Sequence, residues 1–115
     1  MRLCDWWTGV STHMWRLYFR VRQNETYDTL THADKRKYDA CENVLITRFG
    51  EADRKIIEAF YRERTNWGDN AYVVEDYSAR TGISTSYIWK TIKQASRYAA
   101  EEIGILDRKD EVRKT

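Results

Sequence analysis

A chain of 115 residues has the length of one domain, and a content of 42% hydrophobic and 14% aromatic residues excludes a wholly disordered polymer. No apolar run approaches the ~20 residues that span a bilayer. The N-terminal MRLCDWWTGVSTH has no apolar stretch of secretory type, so a cytoplasmic protein with no membrane role is expected. The net charge of +2 excludes little, so it is the placement of charge that informs.

There is no proline and there are only five glycines, which suits helices joined by short polar turns. The first element is predicted over 11–22. Val10, Met14, Leu17, Tyr18 and Val21 recur at helical spacing, with Ser11 as N-cap. Trp15, Leu17, Phe19 and Val21 also alternate, as in a strand, but the helical character of the remaining chain favours helix. Residues 23–31 are polar and read as a linker. A second helix is expected over 33–49, capped by Thr31, with Tyr38, Cys41, Val44, Leu45 and Phe49 on one face and Gly50 ending it. The alternative is one long helix kinked at Gly50. A third is expected over 52–63, burying Ile56, Ile57, Phe60 and Tyr61, with Glu51 or Asp53 suiting the positive end of its dipole. The TNWGDN stretch at 65–70 is turn chemistry, with Trp67 folded back over it. Helices over 73–80 and 85–103 follow, separated by Gly82, and the charged tail from 107 frays. The expected architecture is all-α. Residues 1–32 form an N-terminal segment for packing or oligomerisation, 33–106 a DNA-binding domain, and 107–115 a tail.

The functional signal lies in 73–104, VVEDYSARTGISTSYIWKTIKQASRYAAEEIG. A helix-turn-helix needs a small residue in its first helix, a glycine able to take positive φ, an apolar residue turned inward and a polar cap on its second helix. Ser78 or Ala79, Gly82, Ile83 and Ser84 supply these in order, and Ile88, Ile92 and Ala95 continue the buried face. Helical geometry then turns Thr85, Ser86, Trp89, Lys90, Lys93 and Arg97 outward. Between 77 and 98 there are four basic residues (Arg80, Lys90, Lys93, Arg97) and no acidic one. That local excess is what phosphates require. Thr85, Ser86, Trp89, Lys90 and Lys93 are the expected base contacts, and Arg80 and Arg97 the phosphate clamps. Packing explains Trp89 about as well as a base contact does.

These residues resemble the region 4 helix-turn-helix of bacterial sigma factors, and more closely the small phage transcriptional activators of the RinA and ArpU-like group, which end in a similar motif and a Glu-Glu-hydrophobic-Gly, as in AAEEIG here. The likeness covers about 33–104. Thr81 stands where the sigma pattern has leucine, and the TNWGDNAYV connection is longer than most. The resemblance implies a transcription regulator of phage or mobile-element genes that binds double-stranded DNA, with RNA polymerase and a second copy of the chain as further partners.

Competing readings are a small terminase-like packaging subunit, which forms rings, and a protein-interaction module with no DNA role. No carboxylate is matched with a nucleophile or histidine at useful spacing and there is no glycine-rich phosphate loop, so neither an enzyme nor a cofactor is indicated. Cys4, His13, His32 and Cys41 lack the spacing of paired metal ligands, so no metal site is expected and the histidines read as surface residues. Trp6 and Trp7 are expected to dock on the core or on a second subunit. Arg16, Arg20 and Arg22, and Lys35 to Lys37, read as solvated helix faces.

Overall fold

A computed structural model describes residues 7–63 and 70–106 of the chain. Within them it has five α-helices and no strand: α1 (Thr8–Asn24), α2 (His32–Arg48), α3 (Glu51–Glu63), α4 (Asn70–Thr81) and α5 (Thr85–Glu102), with a 3-10 turn at Tyr27–Thr29. None of these helices is long and apolar enough to cross a membrane.

Each helix ends for an identifiable reason. Glu25 closes α1 in the left-handed region (φ 53°), donating its N–H to the carbonyl of Val21. The Thr31 hydroxyl accepts the Asp34 N–H at 3.2 Å and so caps α2. At the other end of α2 the expectation for Gly50 changes. Gly50 does follow the helix, but it is not among the residues at positive φ, and Phe49 leaves in an extended conformation. The orphaned carbonyls are taken instead by Arg54 of α3. Its Nε donates to Leu45 at 2.8 Å and to Phe49 at 3.0 Å, and its Nη2 to Ile46 at 3.2 Å. The two helices are therefore separate rather than one kinked rod.

The start of α1 also differs from expectation. The helix begins at Thr8, so Ser11 lies within it rather than capping it. The Ser11 side chain is buried and donates to the backbone carbonyl of Ser96 in α5 at 2.7 Å. One turn on, Trp15 is fully buried and its indole N–H donates to the carbonyl of Ala95 at 3.0 Å. Val10, placed on the inner face by periodicity, is exposed.

The core is one continuous cluster. Met14, Trp15, Tyr18 and Phe19 of α1 pack with Cys41, Val44 and Leu45 of α2, Ile56, Ile57, Phe60 and Tyr61 of α3, Val73 and Val74 of α4, and Ile88, Ile92, Ala95 and Ala99 of α5. The Trp15 ring is stacked between Phe19 and Tyr61, with centroids 6.0 Å apart in both pairs. Helix α1 thus contributes to the same core as α2 to α5. Helix α5 is central, contacting all four other helices, whereas α4 packs mainly on α3 and α5. Small residues let this happen: Ala95, Ser96, Ala99 and Ala100 are fully buried in the second half of α5, where neighbouring backbones approach closely.

Candidate nucleic-acid interface

Helix α4 stops because Gly82 turns left-handed (φ 77°) while its N–H still bonds to the Ser78 carbonyl at 2.9 Å. Thr81, the departure from the sigma pattern, is part of this turn. Its hydroxyl donates to the Tyr77 carbonyl at 2.8 Å and accepts the Ile83 N–H at 3.2 Å. Ser84 is extended and its hydroxyl accepts the Tyr87 N–H at 3.2 Å, so α5 starts with a side-chain cap. Three residues thus separate the two helices, as a helix-turn-helix requires. Of the two candidates for the small residue of α4, Ser78 is partly buried and Ala79 is exposed. Ile83 packs against the edge of the core, and Ile88 and Ile92 lie within it.

With that inner face fixed, Thr85, Ser86, Lys90 and Lys93 are exposed. Residues 86, 90, 93 and 97 follow one another by four, three and four, so Ser86, Lys90, Lys93 and Arg97 form a single stripe along α5. Neither lysine has a carboxylate within ion-pair distance among the described residues. The two arginines assigned as clamps are less free. Arg97 is paired with Glu101 at 2.9 Å and is only partly exposed, and Arg80 is paired with Asp76 at 2.9 Å. Both pairs are one helical turn apart, a spacing that is visible in the sequence. Trp89 is half-buried with its ring edge on Phe60, centroids 5.8 Å apart, so the packing role is occupied.

Two neighbours of the stripe were not evident from the sequence. Tyr87, exposed in the first turn of α5, donates its hydroxyl to Asp53 of α3 at 2.8 Å. The Asp53 carboxylate pushes the Tyr87 hydroxyl pKa up. An acid absent from the linear segment is therefore supplied by the fold near the start of α5. Arg48, in the last turn of α2, lies with its guanidinium 3.8 Å from the centroid of the Tyr98 ring. No sequence signal joins residues 50 positions apart; only the tertiary packing of α2 on α5 does so.

Cys41 is fully buried in the core, and burial pushes its thiol pKa well up. His13 and His32 are exposed on α1 and α2, and among the described residues no three His, Cys, Asp or Glu side chains are grouped so as to hold a metal ion. Trp7 is buried at the start of α1. Cys4, Trp6, Trp67 and the tail from 107 lie outside the described residues. No protein-family model matches the chain, and no curated protein or solved structure is significantly similar to it.

Proposed function

We propose that the protein is a sequence-specific regulator of transcription that lays the first half of α5 in the major groove of double-stranded DNA. The observation that carries this reading is the exposed stripe of Ser86, Lys90 and Lys93, on a helix whose opposite side is fully buried and whose start follows a glycine-turned, serine-capped break. A helix held this way offers lysine amines to guanine O6 and N7 while the capped end approaches base edges. Thr85 and Ser86 supply further polar contacts, and Thr85 offers a methyl group to thymine. Arg80 would reach a phosphate by exchanging its exposed intrahelical carboxylate for the backbone, a modest cost because pairs of this kind contribute about 0.3–0.5 kcal/mol. Arg97, whose partner Glu101 is buried, would keep that pair through Nε and offer its remaining N–H groups to the backbone. The resemblance of about 33–104 to sigma region 4 and to the RinA and ArpU-like activators narrows the reading from DNA binding to transcription.

The test is a mobility-shift titration of the full chain on duplexes selected from random DNA. Lys90→Glu with Lys93→Glu should weaken binding by roughly 100-fold or more, because each lost base contact is worth about 1–3 kcal/mol. Both side chains are exposed, so the unfolding midpoint should stay put. Equal binding by both proteins, or binding by neither, contradicts the proposal.

A further inference from the structure

The exposed flank of α5 continues sideways into a groove of about 500 Å³ between its middle turns and the end of α2. Four cations line it: Arg48 from α2, and Lys90, Lys93 and Arg97 from α5. The one carboxylate there, Glu101, has only 5% of its side chain exposed and already accepts from Arg97 at 2.9 Å. Arg48, Lys90 and Lys93 have no carboxylate partner among the described residues. The groove is therefore an uncompensated positive surface built by two helices.

Arg48 is held in place within it. Its guanidinium lies against the Tyr98 ring, and that ring packs at 5.6 Å on Phe49, the buried residue that ends α2. Stacking occupies the flat face of the guanidinium and leaves its N–H edge available to an oxyanion. An arginine so ordered has given up side-chain freedom before any ligand arrives.

We propose that Arg48 is a DNA-phosphate clamp and that this groove seats the backbone strand running beside α5. The inference rests on α5 being the recognition helix. Residues 90 to 97 advance about 10 Å along a helix at 1.5 Å per residue. That matches the axial rise of about three nucleotides of one strand. The groove follows α5 from Lys90 to Glu101 and shares Lys90, Lys93 and Arg97 with the stripe, an extended lining of the kind that suits a polymeric anion. Arg48 reads no base, so its contribution is the same for every sequence.

Fluorescence anisotropy of the full chain, on a selected duplex and on an unrelated one across a salt series, tests this. Arg48→Ala should weaken binding to both duplexes by a similar factor, roughly fivefold to tenfold at ~0.1 M monovalent salt. It should also lower the slope of log affinity against log salt by about 0.9, the value for one phosphate contact. Arg48→Lys, which keeps the charge, should retain most of the slope, and Arg48→Gln should behave as the alanine variant does. Unchanged affinity and slope in Arg48→Ala and Arg48→Gln would overturn the clamp. So would a loss confined to the selected duplex, which would make Arg48 a base reader, or a free nucleotide that binds the groove while DNA binding ignores Arg48. If binding responds to Lys90→Glu with Lys93→Glu but not to Arg48, only this inference fails. A wild-type chain that binds neither duplex ends both readings.

Discussion

Arg54 does what a capping glycine does elsewhere, satisfying three carbonyls at the end of α2 with one guanidinium. Charge-assisted bonds are worth more than neutral ones. Arg54→Ala should therefore lower stability by about 1–2 kcal/mol in denaturant unfolding, and a neutral result would show that water replaces it at no cost. Glu25 offers the opposite opportunity. A residue with a Cβ holds left-handed backbone there, so Glu25→Gly should raise stability by about 0.5–1 kcal/mol. Gly82→Ala meets no neighbour within 4 Å but keeps φ near 77°, so its cost is confined to the backbone, about 1–2 kcal/mol. Titration also belongs to this scale. Burial pushes the Cys41 thiol up. Burial, then the hydrogen bond to Glu42, pushes up the Tyr18 hydroxyl. Both groups are neutral in the fold, and the stability this adds is fully present below their unfolded-chain values of ~8.5 and ~10. It is lost as pH rises beyond them. The thermal midpoint should hold to about pH 8 and then fall, and the fall should be shallower in Tyr18→Phe with Cys41→Ala.

Between elements, α1 matters most for α5. Ser11 and Trp15 donate to successive carbonyls in the second half of α5, and so tie the helix that carries the stripe to the opposite side of the core. Deleting residues 1–24 should abolish cooperative unfolding and DNA binding together, measured by circular dichroism and anisotropy. A stable, binding-competent remainder would place a domain boundary near residue 32. The same tie explains what the sequence revealed. Helices α2 to α5 were legible because each buries one face, and because Thr31, Gly82 and Ser84 stand where α2 begins, α4 ends and α5 begins. Helix α1 was ambiguous because Met14, Trp15, Leu17, Tyr18, Phe19 and Val21 are all buried, and burial on several sides erases the helical period that distinguishes it from a strand. Its start was misplaced because a serine hydroxyl that bonds across the core looks, in sequence, like a cap. The candidate site divides in the same way. The stripe followed from Ile88, Ile92 and Ala95 turning inward, whereas Arg48 and Asp53 reach α5 only through tertiary packing.

For the molecule as a whole, a net charge of +2 supplies little long-range attraction to DNA, so the proposed affinity requires a local concentration of cations. Lys90, Lys93, Arg97 and Arg48 provide it on one flank. The three proposed phosphate clamps, Arg48, Arg80 and Arg97, predict a slope of about −2.7 per protomer in log affinity against log salt. A slope near zero would assign binding to another surface. Entry of α5 into the major groove would be read out by base-methylation interference on a selected duplex. Methylating guanine N7, which faces the major groove, should block binding at defined positions, and methylating adenine N3, which faces the minor groove, should not. Interference confined to adenine N3, or at no defined position, would contradict the assignment of α5 as the reading helix.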